Sequence, residues 1–289
     1  MKIENNVAVV TGATGGIGLA ISEKLVTMGI KAIAIVDLSD QCQIVADRLN
    51  SESGREVAYA FQGDVTELTF RESVFTVMQD NFGVVQICIP AAGILRDSIA
   101  VKVKRPDSQK ANSAEETSTN NSPIKDHTEL YPESLFRQVL EVNLMHPTYW
   151  AMQTIASIAN HRTNNGLGPW QSEEAPQGAV ILIGSVSSRG NRGQVSYSAA
   201  KAGLNAVSNT LNVEGLYHGV QTKIIHPGFV ATPMTDSMPD QYFEEKLKPL
   251  VGLGRMIEPA EIANAIVCLI ENPIISGQLW ADASLRPMI

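Results

Sequence analysis

No stretch of this sequence approaches 18 uninterrupted apolar residues, so nothing in it reads as a membrane-spanning helix. Cysteine is scarce: Cys42, Cys88 and Cys268 stand far apart. That spacing excludes a disulfide framework or a zinc cluster, reads as reduced structural thiols, and leaves no metal site to expect. Positive charge is in deficit, with 22 Lys+Arg against 30 Asp+Glu and a net charge of −8. Such a field repels phosphate backbones and anionic membranes, so neither nucleic acid nor a membrane surface is an expected partner. The opening residues Met1-Lys2-Ile3-Glu4-Asn5-Asn6 lack the apolar core of a secretory signal, and a cytoplasmic location is expected. Asn120-Asn121-Ser122 matches a glycosylation sequon, which without an export signal reads as chance in a polar loop.

What is present is enough apolar material for a large core: 289 residues, 44% hydrophobic and 18% charged. Short β-branched runs alternate with helical patterns along almost the whole chain. The first strand is Val7-Ala8-Val9-Val10, followed by Ile17, Ile21, Leu25 and Met28 at helical spacing. Ala32 to Val36, Val57 to Phe61, Val84 to Ile89, Ala179 to Ile183 and Lys223 to Ile225 give further strands. Helices are expected near 66–82, 132–160, 196–217 and 258–271, the last opening on Glu258-Pro259-Ala260-Glu261. Near-continuous apolar strands imply a parallel sheet covered on both faces. The expected fold is therefore α/β: one Rossmann-type domain over 1–289, a doubly wound parallel sheet of about seven strands. Two polar stretches, 102–130 and 161–178, read as surface insertions because the alternation resumes after each.

Directly after the first strand comes Thr11-Gly12-Ala13-Thr14-Gly15-Gly16-Ile17-Gly18. Gly12 permits a tight turn, Gly16 lets the backbone approach a pyrophosphate and Gly18 lets the helix pack closely, so a dinucleotide is the expected ligand. Thr14 and Ile17 belong to the same candidate contact set. Asp37 closes the second strand, 19 residues beyond Gly18, where a carboxylate accepts hydrogen bonds from both ribose hydroxyls and repels a 2′-phosphate. Leu38, Ser39 and Asp40 follow with no Arg or Lys, which favours NAD(H) over NADP(H). Asp64-Val65 ends the third strand, either as a turn with a helix cap or as the border of the adenine pocket.

Tyr197-Ser198-Ala199-Ala200-Lys201 places a phenol and an ammonium one helical turn apart. A free phenol titrates near 10, too high for proton transfer at neutrality, and an adjacent Lys⁺ and a nicotinamide cation are both expected to lower it. Ser185 ends the strand Ala179 to Gly184, at the carboxyl edge of the sheet.

With Val142-Asn143-Leu144 and Pro227-Gly228-Phe229-Val230-Ala231-Thr232-Pro233-Met234, these motifs stand in an order that resembles the short-chain dehydrogenase/reductase family, from about Asn5 to Asp282. The resemblance implies Tyr197 as general acid/base and Lys201 as its pKa-lowering neighbour and ribose ligand. It implies Ser185 as the holder of the substrate oxygen and Asn143 as part of a water relay reaching Lys201. Outside that resemblance Asn143 reads as a satisfied buried amide. Ala92, Gly93, Pro227, Gly228, Val230 and Thr232 would border the nicotinamide end, and 232–250 would form a substrate lid. The family also implies a dimer or tetramer built on the long helices, with Leu140, Leu144, Tyr149, Trp150 and Met152 as candidates for core or interface.

Two features depart from the family pattern. Pro90-Ala91-Ala92-Gly93 replaces the usual Asn-Asn-Ala-Gly, removing amide contacts at the sheet centre. Ser185 precedes Tyr197 by 12 residues where many relatives have 13, leaving Ser187 as a substitute. Ala91-Ala92-Gly93-Ile94-Leu95-Arg96-Asp97 and Gly193-Gln194-Val195-Ser196-Tyr197 resemble most closely the 3-oxoacyl-acyl-carrier-protein reductase branch of the family, which implies a 3-hydroxyacyl/3-oxoacyl thioester substrate. That branch normally takes NADPH and an acidic carrier; Asp37 and the net acidity oppose both. Arg189 and Arg192 would attract an anionic carrier or CoA, or are simply solvated. The rival substrates are a sugar, steroid or other small secondary alcohol. The rival class is a catalytically silent NAD-binding scaffold.

Overall fold

Every residue of Val7–Thr11 is buried, and the same all-buried pattern recurs in Gly178–Ile183, as strands covered on both faces require. The computed structural model describes residues 1–103, 128–235 and 240–285. In chain order its strands are β1 (Val7–Thr11), β2 (Ala32–Asp37), β3 (Ala58–Gln62), β4 (Val85–Pro90), β5 (Val101–Val103), β6 (Thr128–Leu130), β7 (Gly178–Ile183), β8 (Val220–Pro227) and β9 (Gln278–Ala281). The α-helices are α1 (Gly16–Thr27), α2 (Cys42–Ser53), α3 (Leu68–Phe82), α4 (Glu133–Leu140), α5 (His146–Asn164), α6 (Val195–Gly215), α7 (Asp240–Tyr242) and α8 (Pro259–Glu271).

Seven strands form one parallel sheet in the order β3-β2-β1-β4-β7-β8-β9. The period-2 alternation of each strand divides the core in two. Ala8, Val10, Ile33 and Ile35 pack with Leu25 of α1, Leu49 of α2 and Ile266 of α8. Val7, Val9, Ala34 and Val36 pack with Val74 of α3, Trp150 of α5 and Leu204 of α6. Strand order reverses between β1 and β4, where the carboxyl ends diverge and leave a crevice.

Differences from the sequence reading have local causes. The helix expected over 132–160 is broken by a π segment, Glu141–Met145, and its second half runs on to Asn164. The polar α2 and the short edge strand β9 were not read from the sequence. The ends of the 102–130 insertion are not irregular: β5 and β6 pair antiparallel, Val101 opposite Leu130. The sequon at 120–122 lies outside the described residues, as do 236–239 within the proposed lid.

The 161–178 segment is anchored by buried Arg162, which pairs with Glu174 at 2.7 Å. Trp170 lies against Gly219, where an added Cβ would stand 2.6 Å from the indole; with φ at +76°, only glycine fits there without strain. Cys42, Cys88 and Cys268 are all free thiols. Among the described residues, no helix is long and apolar enough to cross a membrane.

Candidate active site

Four chain segments converge at the carboxyl ends of β1, β4, β7 and β8. Ser185 follows β7 and caps a short 3₁₀ turn, Val186–Arg189, its Oγ accepting the Ser187 N–H at 3.1 Å. Tyr197 lies in the first turn of α6, half-buried, and Lys201 is buried one turn later. The Lys201 Nζ donates to the Ile183 carbonyl at 2.8 Å and stands 5.5 Å from the Tyr197 ring centre.

Burial lowers Lys201 to about 8. Burial also pushes the Tyr197 phenol up to about 12, against the lowering effect of a Ser185 hydrogen bond and reinforced by the Asp97 carboxylate. The expected lowering by Lys201 is therefore not what the chain itself produces: the ammonium points at a β7 carbonyl, and desolvation of the phenolate dominates. At neutral pH the phenol keeps its proton and stands ready as an acid.

The shortened Ser185–Tyr197 loop closes because Gly190 and Gly193 adopt φ of +98° and +83°. Gln194 holds it together, accepting from the Ser187 hydroxyl (2.8 Å) and Asn191 Nδ2 (2.9 Å) while donating to Asp97 (2.7 Å). Ser187 is thus buried and engaged in the loop, and Ser185 is the serine beside the phenol. Asp97 and Gln194 lie in the two segments that resemble the 3-oxoacyl reductase branch, but their bond has no sequence signal because 97 positions separate them.

Asn143 sits in the π segment, fully buried. Its Nδ2 donates to the carbonyls of Ile94 (2.9 Å) and Val139 (3.1 Å), and its Oδ1 accepts the Ile94 N–H (3.3 Å). These bonds match the satisfied-amide alternative and hold the segment after β4. π segments occur disproportionately at functional sites, and this one aims Asn143 at Gly93, whose Cβ would stand 2.8 Å from Oδ1.

The glycine loop faces the other candidate cofactor residues. A Cβ on Gly12 would stand 2.8 Å from the Ala92 backbone, and one on Gly16 3.2 Å from Thr232. Asp37 Oδ2 accepts from Thr14 N (3.1 Å) and Oγ1 (2.7 Å), fixing the carboxylate beside the loop. No side chain caps the N-terminus of α1 at Gly15, Gly16, Ile17 and Gly18, which leaves its first-turn donors for an anion. Pro227 ends β8, and Gly228 and Val230 continue from it, Val230 pairing with Ile257. Such a cradle fits an extended dinucleotide. Asp64 turns back on its own loop, Oδ1 accepting from Thr66 N and Oγ1, while Val65 is buried and its carbonyl holds the Trp150 indole. Arg189 is engaged as well, its guanidinium 3.7 Å from the Trp280 ring centre.

A family model described as short chain dehydrogenase matches residues 6–242. The chain belongs to this family. It is 29% identical over 281 residues to the 3-oxoacyl-acyl-carrier-protein reductase FabG of Vibrio cholerae, covering 96% of each chain. It is 28% identical to carbonyl reductase family member 4 of Danio rerio, covering 98% of each. A short-chain type dehydrogenase/reductase from Mycobacterium marinum has the same fold, with a TM-score of 0.76 and 19% identity over 98% of this chain and 96% of that one.

In this short chain dehydrogenase, a chain of bonds from β1 and α5 holds the backbone that follows Pro90-Ala91. The Thr11 hydroxyl accepts the Ala92 N–H at 3.1 Å and lies 3.0 Å from His146 Nε2, while His146 Nδ1 lies 3.0 Å from the Val142 carbonyl. A carbonyl only accepts, so Nδ1 carries the proton and Nε2 receives the Thr11 hydroxyl. Burial, first among the causes, lowers His146 to about 3. Between pH 6.5 and 3 the unfolded chain takes up a proton that the folded chain refuses, so stability is full above pH 6.5 and drains as pH falls. His146 alone should cost about 2 kcal/mol between pH 7.5 and 5. Urea midpoints across that range should shift less in His146→Gln; an unchanged pH slope would refute this assignment.

Proposed function

We propose that the chain is an NAD(H)-dependent oxidoreductase that interconverts a secondary alcohol and a ketone, with a 3-hydroxyacyl/3-oxoacyl thioester as substrate. The observation that carries this reading is the meeting of Ser185, Tyr197 and Lys201 at one end of the sheet, facing the glycine-loop crevice. A bound nicotinamide dinucleotide would supply or accept the hydride at its C4 atom.

The protein's own contribution is orientation and proton traffic. Ser185 Oγ grips the substrate oxygen, and Tyr197 delivers its phenolic proton to that oxygen as a ketone is reduced. In the reverse direction the phenolate removes the hydroxyl proton. Lys201, buried and positively charged beside the ring, steadies the phenolate and offers a donor to the nicotinamide ribose. Asn143 fixes the Gly93–Ile94 backbone that borders the same ribose. Asp37, held by Thr14, accepts the adenosine ribose hydroxyls and disfavours a 2′-phosphate. The likeness to the Vibrio cholerae and Danio rerio proteins supports a 3-oxoacyl or other carbonyl substrate.

NADH absorbance with acetoacetyl-CoA tests the proposal. Turnover should be at least tenfold faster with NADH than with NADPH, and Asp37→Ala should narrow that ratio. Turnover only of a sugar or steroid alcohol would overturn the thioester assignment, and cofactor binding with no turnover of any of these would favour the scaffold.

The oligomer forms through α5 and α6. Of the apolar residues noted on the long helix, Trp150 is buried, Leu140 and Leu144 are half-buried, and Tyr149 and Met152 are exposed. Met145 joins the exposed pair, and Val213, Leu216 and Tyr217 extend apolar exposure at the end of α6. Light scattering should give a dimer or tetramer that Tyr149→Glu weakens; a wild-type monomer would refute it.

A further inference from the structure

His226, the residue before Pro227, takes no part in the chemistry above, yet it is completely buried directly behind Ser185. Its Nδ1 lies 3.2 Å from the Ser185 backbone nitrogen and 3.1 Å from the Ser185 carbonyl. Its surroundings fix the ring further. It stacks on Trp280 of β9, with centroids 4.2 Å apart and planes at 14°. Arg189, from the 3₁₀ turn that Ser185 caps, covers the indole at 3.7 Å. Gly184 clears the space, since a Cβ there would stand 2.4 Å from Nδ1. Nε2 is buried without a hydrogen-bond partner.

The hydrogen bonds decide which tautomer is present. The Ser185 carbonyl already accepts the Ser188 N–H at 3.1 Å, whereas the Ser185 N–H donates to Nδ1 alone among the described contacts. Nδ1 therefore serves as the acceptor and the proton sits on Nε2.

We propose that His226 is the positioning residue of Ser185: its neutral ring, clamped between Gly184 and Trp280, holds the serine's backbone N–H and thereby sets the direction of the Ser185 hydroxyl. This rests on the reading of Ser185 as the residue that grips the substrate oxygen. Protonation converts Nδ1 into a donor, abolishes its bond to the Ser185 N–H and swings its attraction to the carbonyl. The serine is then released from its extended conformation, so acid lowers activity. The groups around the ring resist that protonation: burial first, then the cations Arg189 and Lys201, partly offset by the Ser185 backbone. The switch consequently operates below the ordinary histidine range.

Two measurements test this, the first needing no substrate. In protein labelled with ¹⁵N-serine, the Ser185 amide shift, assigned by its loss in Ser185→Ala, should titrate with the same midpoint as Trp280 fluorescence. Trp280 is isolated by difference from Trp280→Phe, and both titrations should vanish in His226→Asn. In the second, His226→Leu should lower kcat with acetoacetyl-CoA on the order of tenfold to a hundredfold while leaving KM for NADH unchanged. His226→Asn, which keeps an acceptor, should recover most of that loss and remove the acid limb of the kcat profile. A Ser185 amide indifferent to the His226 titration, or wild-type kcat in His226→Leu, would overturn the proposal. Failure of the reading beneath it shows separately, as a fully active Ser185→Ala.

Discussion

Tyr197→Phe should lower kcat by about a thousandfold while leaving dinucleotide binding nearly unchanged, because general acid–base groups contribute on the order of 10²–10⁴ in rate. Phenylalanine preserves the ring that faces Lys201 at 5.5 Å and removes only the hydroxyl beside Ser185. Cofactor binding, followed by quenching of protein fluorescence on adding NADH, should therefore change less than threefold. The raised phenol pKa gives the prediction a direction. With the proton held at neutrality, reduction starts from the correct protonation state, whereas oxidation must first create a phenolate in a buried setting. Oxidation of a 3-hydroxyacyl thioester should accelerate steeply with pH, and reduction should not. A Tyr197→Phe protein retaining a tenth of wild-type turnover would remove Tyr197 from the mechanism.

Gly18→Ala should be the most damaging of the single-atom additions in the crevice. The new Cβ would stand 2.1 Å from the Gly12 carbonyl oxygen and 2.7 Å from its carbon. Both are backbone atoms of the same loop and have no rotamer with which to yield. Either α1 moves off β1 or the turn at Gly12, which needs φ of +64°, opens. Overpacking of this kind costs about 1–3 kcal/mol or more, and a displaced loop loses its aim at the pyrophosphate. Dissociation constants for NAD⁺ should rise at least a hundredfold, with a thermal midpoint several degrees lower. Gly15→Ala provides the control, because its Cβ would find only Pro233 Cγ at 3.9 Å. Equal damage from both substitutions would mean that steric closeness at Gly18 is not what matters.

The parts of the fold that were legible in the sequence are those with local signatures. The apolar runs gave the central strands to within a few residues, and the glycine loop, Ser185 and the Tyr197/Lys201 pair announced themselves through spacing. What escaped has no local pattern. The Thr11–His146 bond spans 135 positions, and the His226–Trp280 stack joins neighbouring strands far apart in sequence. Three-residue strands such as β5 and β6 are too short for alternation to register. The phenol's raised pKa in the chain itself was not legible because i,i+4 spacing reports proximity but not burial, nor that the Ile183 carbonyl would take the ammonium's hydrogen bond.

The β5–β6 pairing carries a practical consequence. Because Val101, Lys102 and Val103 pair in turn with Leu130, Glu129 and Thr128, the two ends Val103 and Thr128 stand directly opposite each other. A two-residue turn, an affinity tag or a foreign domain whose ends lie close together should bridge those two residues while keeping the β5–β6 register, which unchanged NADH turnover of such a chimera would check. The stem is thus a port for protein engineering that stands next to the active-site loop, since Ser98 before it donates to the Gly193 carbonyl and Tyr131 after it bonds Ser196.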